Sequence, residues 1–260
     1  MYREYPPDIK LQHLIETYWV ADGFVEKPYT EHIMPDGCVD IIFDFNDISG
    51  KNFSEVPELV GTITSLLEIS YLPGHIQMMG IRFTPGGITA FTKIPVNEIT
   101  NQNIKLPLAE TLFDTDFYHQ LPGMEQIQER VNYLNQYMLS RLYNIYPVNR
   151  QIQHTVSIIR KNAGQLSIKQ LAYESCLCER QLERKFKATI GISPKLFSNV
   201  IRFQAACQYI KMNRAENLDS IAHICGYHDH SHMHKEFQRL GRLSPSKLIE
   251  QLAESHKTQN

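Results

Sequence analysis

The stretch SIKQLAYESCLCERQLERKFKATIGISP, residues 167–194, decides the fold of the C-terminal half, because its pattern returns about 50 residues later. The second copy is NLDSIAHICGYHDHSHMHKEFQRLGRLSP, residues 217–245. Leu171-Ala172 in the first copy corresponds to Ile221-Ala222 in the second. Two copies are too few for a solenoid, which needs at least three repeats. The pattern therefore predicts two tandem modules.

Each copy carries signals for two helices joined by a short turn. Ser167, with Gln170 three residues later, forms a capping box, and Leu166 and Leu171 occupy the positions of a hydrophobic staple. Asn217 is the corresponding N-cap in the second copy. The sequence therefore predicts a helix-turn-helix motif in each copy.

The second helix of each motif is predicted to be amphipathic, and in the first copy it is expected over residues 179–189. Leu182 and Phe186 lie four residues apart on its buried side, and Met233 and Phe237 repeat this spacing. The opposite faces are polar or basic: Arg180, Glu183, Arg184 and Lys187 in the first copy, and Ser231, His234, Lys235 and Gln238 in the second. Such a face is typical of a recognition helix in the DNA major groove. A solvated face with intrahelical ion pairs is the alternative, which the repetition disfavours.

These positions resemble the DNA-binding domain of the AraC/XylS family of bacterial transcription regulators, over about residues 150–250. The matching residues are Leu171, Ala172, Arg180, Leu182, Arg184, Phe186, Lys187, Gly191, Ser193, Pro194 and Arg202, and then Ile221, Ala222, Gly226, Tyr227, Asp229, Ser231, Phe237, Ser244 and Pro245. The resemblance implies seven helices, with two recognition helices held by a linker helix. Cys176 and Cys178 depart from the family pattern, in which a turn glycine and a serine cap are usual.

The linker helix is predicted from Pro194 to about Met212, because apolar residues keep helical spacing there. Its length of roughly 28 Å compares with about 34 Å for one turn of DNA. The helix could therefore hold two recognition helices over successive major grooves. Pro147 marks the domain boundary, so that residues 1–147 form a regulatory, ligand-sensing or dimerisation domain and residues 148–260 the DNA-binding domain.

The candidate DNA contacts follow from the exposed faces, since arginine favours guanine and glutamate accepts from cytosine. We expect base contacts from Arg180, Glu183 and Arg184 in the first motif and from His230, Ser231, His234 and Lys235 in the second, and phosphate contacts from Lys187, Lys195 and Arg239. His230 and His234 could instead chelate a metal ion, being four residues apart on a helix. The glutamate of a zinc-hydrolase motif is missing, which favours DNA contact.

Charge is unevenly distributed along the 260 residues, which leave room for two domains. Residues 1–150 hold 10 basic and 19 acidic residues, net −9, and residues 151–260 hold 16 and 9, net +7. The basic half suits a polyanion. We expect a cytoplasmic, nucleoid-associated protein with no membrane partner, because no apolar run is long enough for a span or a signal peptide. The five cysteines lack framework spacing and indicate free thiols.

Residues 1 to about 90 are predicted to be mainly β, as a small barrel or sandwich, since short apolar runs alternate with Gly and Pro turns. Val39 to Phe45 alternates apolar and acidic residues, as a half-buried strand does. Further strands are expected in 14–24, 59–64, 66–72 and 76–83, and short helices in 87–93, 96–102 and 106–119. Met124 to about Tyr143 has clear helical spacing. This helix either packs on its own barrel or forms a dimer contact.

The blocks HIMPDGCVDIIFDF, residues 32–45, and GIRFTPGGITAF, residues 80–91, resemble the cupin-like sensory domains attached to many AraC-type regulators. The resemblance implies an α+β two-domain chain, with a β-barrel-like (cupin-like) N-terminal domain that also contains helices and an all-α C-terminal domain. By analogy, such a domain holds an effector and a dimer contact.

Arg82 and His32 are the candidate ligand-binding residues. A half-buried arginine in an apolar strand can hold a carboxylate bidentately. An internal ion pair with Asp40 or Asp44 is the alternative for Arg82. His32 and His75 lack the H-x-H spacing of a cupin metal site, so no metal or other cofactor is expected.

The cysteines offer little catalytic chemistry. Cys38 lies between Asp36 and Asp40, and neighbouring acids raise a thiol pKa, so Cys38 is a poor nucleophile. Cys176 and Cys178 lack the C-x-x-C spacing of zinc and thioredoxin sites. They have either a structural role or a role as a redox switch.

The sequence therefore predicts a sequence-specific transcription regulator and not an enzyme. The expected partners are double-stranded promoter DNA, a small-molecule effector, a second copy of the chain, and RNA polymerase if the protein is an activator. Two alternatives stay open: a dimeric DNA-binding scaffold without an effector, and an enzyme domain tethered to a DNA-binding domain.

Overall fold

A computed structural model describes residues 2–45, 57–106, 112–213 and 216–250, with a β-rich N-terminal domain and an all-helical C-terminal domain. The strands are β1 Tyr2–Tyr5, β2 Ile15–Val25, β3 Tyr29–Ile33, β4 Val39–Asp44, β5 Glu58–Val60, β6 Leu67–Tyr71, β7 Gly74–Phe83 and β8 Asn103–Lys105. Six of them form an antiparallel sheet in the order β1-β2-β7-β4-β5-β8, and β3 pairs with β6 in a second sheet.

Strand β4 shows how sequence alternation gives the main sheet two different faces. Val39, Ile41 and Phe43 are buried on one face, as the alternation predicted, and belong to the core of the domain. Asp40 and Asp44 lie on the other face and are half-buried. The acidic face of this strand lines a cavity and not the core.

The helices of the N-terminal domain cover the apolar face of the sheet. They are α1 Thr115–Gln120 and α2 Ile127–Arg141, with 3-10 helices at Gly87–Ala90, Val96–Glu98 and Leu142–Asn144. Leu134 and Met138 of α2 are fully buried in the same core as Phe43 and Phe117. Helix α2 therefore packs on its own barrel, the first of its two alternatives.

Two predicted boundaries in this domain were wrong. The strand expected over 59–64 ends at Val60, and the helix expected over 96–102 is a single 3-10 turn followed by β8, which was not predicted. The second error arises because β8 is held by its pairing with β5, a long-range contact that local periodicity does not encode. The turn predicted at 46–50 and part of the helix predicted over 106–119 lie outside the described residues.

The C-terminal domain contains the two predicted motifs. Its helices are α3 Arg150–Lys161, α4 Ile168–Glu174, α5 Glu179–Ile190, α6 Pro194–Met212, α7 Leu218–Ile224 and α8 His230–Gly241, and residues 245–250 are also helical. Helices α4 and α5 form the first motif, α7 and α8 the second, and α6 joins them. In the described ranges, no helix is long and apolar enough to cross a membrane.

The predicted caps form. Ser167 and Gln170 make the capping box of α4, and the side chain of Asn217 accepts a hydrogen bond from the backbone N–H of Ser220 at the start of α7. Each motif has its own core, and α6 contributes to both of them. The linker helix therefore fixes the positions of the two motifs.

Candidate functional site

The first recognition helix, α5, presents the predicted stripe to solvent. Leu182 and Phe186 are fully buried beneath it. The exposed side chains are Arg180, Glu183, Arg184 and Lys187. Lys195, also exposed, lies at the start of α6, directly beyond the end of α5. One surface therefore carries three candidate base contacts and two candidate phosphate contacts.

The second recognition helix, α8, has the same arrangement around its first turn. Met233 and Phe237 are fully buried, and the exposed candidates are Ser231, His234, Lys235 and Arg239. His230 is only partly exposed, and its Nε2 atom is buried without a hydrogen-bond partner among the described residues. The sequence placed His230 on the open face, whereas the structure turns it partly inward.

The geometry of the histidine-rich turn does not support a metal-binding site there. The rings of His230 and His234 are 6.2 Å apart, centroid to centroid. Within the part of the chain that the structure describes, no group of three or more His, Cys, Asp or Glu side chains could hold a metal ion. Asp229 instead caps α8, accepting a 2.7 Å hydrogen bond from the backbone N–H of His232.

Cys176, which stands where the family usually has a turn glycine, has a left-handed backbone conformation. Cys176 has φ +52°, and the corresponding residue of the second motif is Gly226, with φ +75°. A side chain is unfavourable in this conformation, which glycine adopts freely. Cys176 and Cys178 are both exposed free thiols.

An ion pair that the sequence did not suggest joins the linker helix to the second recognition helix. Nη2 of Arg202 in α6 lies 2.8 Å from Oε2 of Glu236 in α8, and both side chains are buried. Arg202 also donates to the side chain of Asn199 and lies over the ring of Tyr227. This network fixes α8 against α6. The available sequence signal was an arginine between the apolar residues Ile201 and Phe203.

The comparisons with known proteins agree with this arrangement. Residues 171–251 match the family described as a helix-turn-helix domain. The HTH-type transcriptional regulator MtrA from Neisseria gonorrhoeae is 28% identical over 98 residues, which are 37% of this chain and 32% of that protein. Both matches agree with the AraC-type helix-turn-helix domain that the sequence predicted at the C-terminus. The aligned part spans about a third of the length of this relative.

The N-terminal region matches a different family. Residues 3–105 match a domain of unknown function, DUF6597. Among solved structures, ToxT from Vibrio cholerae has a TM-score of 0.45 at 11% identity and covers 89% of this chain and 97% of its own. Unsaturated fatty acid bound wild-type ToxT from the same organism has a TM-score of 0.41 at 12% identity, covering 89% and 94%.

The N-terminal domain contacts the end of the first recognition helix of the AraC-type domain. The hydroxyl of Thr62 donates a 2.8 Å hydrogen bond to the carbonyl oxygen of Ile190. The hydroxyl of Thr100 donates a 3.0 Å bond to the carbonyl oxygen of Gly191. Gly86 lies against Thr189, and a side chain at Gly86 would meet it. Three separate segments of the N-terminal domain therefore meet where α5 ends.

The same N-terminal domain also contacts the end of the second recognition helix. The backbone N–H of Leu66 donates a 2.7 Å hydrogen bond to the carbonyl oxygen of Leu240. Two residues on, Glu68 lies 3.6 Å from Nη1 of Arg242. We call residues 61–68 the clamp segment, because they contact the C-terminal ends of both recognition helices.

A shallow groove runs along the exposed stripe of α5, with the N-terminal domain at its edge. Its lining residues are Asn97, Arg180, Glu183, Arg184, Lys187 and Ala188. Asn97 belongs to the 3-10 helix of the N-terminal domain. DNA that reaches the stripe must therefore pass close to the N-terminal domain.

A cavity of about 660 Å³ lies between the two sheets of the N-terminal domain. We call it the sheet cavity. Its apolar lining includes Trp19, Ile42, Ile63, Leu67, Ile69 and Met78, and its acidic lining consists of Glu31, Asp36, Asp40, Asp44 and Glu58. Arg82 and His32, the predicted ligand-binding residues, both line it. Gly61, Ile63 and Leu67 belong to the clamp segment as well.

Arg82 is already surrounded by carboxylates. Its Nε lies 3.4 Å from Asp40 and 3.6 Å from Asp36, and its Nη1 lies 3.8 Å from Glu4. Asp40 also accepts a 2.7 Å hydrogen bond from Nε1 of Trp19. Burial raises the pKa of Asp40 to about 6, and the charge of Asp36 adds to this effect while Arg82 opposes it. The ion pair expected with Asp40 therefore forms.

His32 is less well placed than Arg82. It is exposed, and its Nε2 lies 3.6 Å from Glu68 in the neighbouring strand β6. Both residues stand at the edge of the small sheet. His32 therefore borders the mouth of the sheet cavity and does not reach into the Arg82 cluster.

The linker helix reaches the sheet cavity directly. Gln204 of α6 lines it and donates a 2.9 Å hydrogen bond to the carbonyl oxygen of Pro35, next to Asp36. The ring of Phe197 lies against Gly37, where no side chain would fit. The cavity is thus in contact with α6 on one side and with the clamp segment on another.

The environment of Cys38 disfavours the thiolate form that would act as a nucleophile. Its thiol donates a 3.0 Å hydrogen bond to Glu16. Burial, followed by the charges of Asp36 and Glu16, raises the pKa of Cys38 well above its usual range. The expectation that Cys38 is a poor nucleophile agrees with this environment.

Proposed function

We propose that the protein is a sequence-specific transcription regulator, in which residues 148–260 bind double-stranded promoter DNA and residues 1–147 control that binding. The observation that carries the proposal is the pair of helix-turn-helix motifs on one linker helix, each with an exposed polar and basic face. The net charge of +7 in residues 151–260 supports a polyanionic partner. Such a regulator works in the cytoplasm at the nucleoid.

The roles of the individual side chains follow from position and chemistry. Arg180, Glu183 and Arg184 would contact bases in the first major groove, and His230, Ser231, His234 and Lys235 in the second. Lys187, Lys195 and Arg239 would contact phosphates, which fix the register without reading the sequence. His230 would have to rotate outward to reach a base, because its Nε2 atom is buried.

We further infer that the N-terminal domain is a sensor for a small molecule. The clamp segment lines the sheet cavity and also bonds to the ends of both recognition helices. A ligand that binds one position of this segment better than another must change DNA affinity by the same coupling free energy. A scaffold without an effector has no use for a cavity at this junction. A second copy of the chain and, for an activator, RNA polymerase would be further partners.

The proposal is tested by measuring the binding of the full chain to its own promoter and to random DNA at two salt concentrations. Specific recognition with phosphate contacts predicts tight promoter binding and a steep loss of affinity with salt on both DNAs. Absence of binding to either DNA, in the full chain and in residues 148–260 alone, would refute the DNA-binding function.

A further inference from the structure

We propose that the sheet cavity takes an apolar cation, such as an alkylammonium or another organic amine, and not a carboxylate. This inference rests on the proposed sensor function and adds the chemical class of the effector. It departs from the role that the sequence suggested for Arg82, that of holding a carboxylate ligand.

The walls of the cavity suit an apolar body with one charged end. Apolar side chains cover most of the lining, and about 660 Å³ is within the usual size range of small-molecule pockets. Trp19 lies flat against Gly80 of β7, where a side chain would collide with the indole ring. Tyr2 stacks on Trp19 at 6.1 Å. Both rings line the cavity, and aromatic rings attract cations.

The charges of the lining exclude a carboxylate and favour a cation. Glu58 is neutralised by Lys105 at 2.9 Å. Two other lining carboxylates, Asp36 and Asp40, both stand within 3.6 Å of Arg82, which is the one arginine or lysine among the described lining residues. The geometry of Arg82 is consistent with this imbalance, because carboxylates already stand on its Nε and Nη1 sides. An incoming carboxylate would have to displace them.

A cation also relieves the cost of keeping Asp40 charged. The side chain of Asp40 is 14% exposed, and a poorly hydrated carboxylate is stabilised by any positive charge that comes within about 4–6 Å. Asp36 lies close to it and repels it. A ligand ammonium group would supply the second positive charge that this cluster lacks, and its alkyl part would occupy the apolar remainder of the cavity.

The proposal is tested with three probes of equal chain length and different charge: decyltrimethylammonium, 1-decanol and decanoate, each titrated below its micelle concentration into the full chain. Trp19 is the only tryptophan and lines the cavity, so its fluorescence reports occupancy directly. We expect the cation to bind at least tenfold more tightly than decanoate, with decanol between them. Tighter binding of decanoate, or no response to any probe, would overturn the assignment.

Substitution of an acidic residue in the lining tests whether its negative charge is responsible for cation binding. Asp40→Asn keeps the size of the side chain and the acceptor for Trp19, and we expect it to weaken binding of the cation three- to tenfold. Asp36→Asn, at the acid that lies 3.6 Å from Nε of Arg82, is a second variant with the same expected direction. The control is Asp116→Asn, an exposed acid in α1, which should leave the affinity unchanged. Equal cation affinity in all four proteins would contradict the proposal.

Promoter binding is measured on the same protein samples without the probes. If the protein binds promoter DNA but binds decanoate more tightly than the cation, only the proposed ligand class is wrong. If promoter DNA is not bound, the regulator function itself fails, whatever the probes show.

Discussion

The hydroxyl of Thr62 donates a 2.8 Å hydrogen bond to the carbonyl oxygen of Ile190, the last residue of the first recognition helix. Four residues further along the chain, the N–H of Leu66 bonds to the carbonyl oxygen of Leu240, near the end of the second. The last carbonyls of a helix have no partner within the helix. The clamp segment supplies these partners, so the N-terminal domain holds both recognition helices by their free ends.

Loosening this contact is expected to increase DNA affinity. In the contact described here, Asn97 borders the α5 stripe. Residues 1–150 carry a net charge of −9, which repels the phosphates of DNA. Removing the hydroxyls in a Thr62→Val, Thr100→Val double variant takes away two hydrogen bonds of about 1 kcal/mol each. We expect promoter affinity to rise three- to tenfold in fluorescence anisotropy.

The matched control is Thr84→Val. The hydroxyl of Thr84 bonds to the backbone of His13 and Leu14, inside the N-terminal domain. The loss of this hydroxyl should leave DNA affinity unchanged. Equal effects in the control and the double variant would show that the clamp does not restrain the DNA-binding domain.

Substitution of Arg184 is expected to reduce sequence-specific DNA binding, whereas substitution of Lys187 is expected to reduce DNA binding of every sequence. Arg184→Ala should cost about 1–3 kcal/mol on the promoter site and relax the preference at one base pair, as the loss of a bidentate guanine contact does. Lys187→Ala should weaken promoter and random DNA alike and reduce the salt slope by about one unit. Lys10→Ala, an exposed lysine of the N-terminal domain, is the control. If Arg184→Ala lost as much affinity for random DNA as for the promoter, Arg184 would be a phosphate contact.

The C-terminal domain could be predicted in detail because its signals are local. Ser167 and Gln170 are three residues apart, and Leu182 and Phe186 four, so one turn of helix contains the whole signal. The predicted bounds of the linker helix, from Pro194 to Met212, agree with the structure for the same reason.

The clamp and the sheet cavity could not be predicted, because their residues meet across long stretches of chain. Thr62 and Ile190 are 128 positions apart, and the Leu66 contact is made by backbone atoms that leave no trace in the sequence. Arg82 was recognised as a functional candidate, but the identity of its partners depended on the pairing of β4 with β7. That pairing places Asp40 directly opposite Arg82.

Breaking the buried ion pair of the second motif is expected to be strongly destabilising. Arg202→Met leaves Glu236 buried, and the exposed Arg239, 3.8 Å away, is then the remaining positive partner among the residues that the structure describes. Loss of one partner of such a pair typically costs about 3–5 kcal/mol. The double variant Arg202→Met, Glu236→Met removes both charges and should recover most of that loss. Urea unfolding measures both values, and a double variant no more stable than the single one would argue against the ion pair as the cause.

Cys176→Gly is expected to stabilise the first motif. Cys176 holds a left-handed backbone conformation, φ +52°, which costs a residue with a side chain about 1–2 kcal/mol. Glycine avoids this cost but gains freedom in the unfolded chain, so we expect a net gain of about 0.5–1 kcal/mol. Gly226→Ala makes the reverse change in the second motif and should be destabilising. Thermal unfolding of the two variants checks the opposite signs.

The raised pKa of Asp40 predicts a defined pH dependence of stability. Its pKa is about 6 in the folded protein, above the ordinary value of an aspartate, so the folded state binds the proton more tightly than the unfolded state. The contribution of Asp40 is therefore fully favourable below about pH 4 and is lost as the pH rises through 6. The groups that act on Asp40 are Arg82, which favours its charged form, Asp36, which opposes it, and the hydrogen-bonding indole of Trp19.

Asp40→Asn should remove this dependence. Between pH 4 and pH 8, the stability of the variant relative to the unmodified protein should increase by an amount on the order of 1–3 kcal/mol, because asparagine has no charge to keep buried. The measurement is the thermal midpoint of both proteins across this range, with Asp116→Asn as the surface control. A difference that stays constant between pH 4 and pH 8 would show that Asp40 does not titrate near 6, since an exposed carboxylate is already ionised at pH 5.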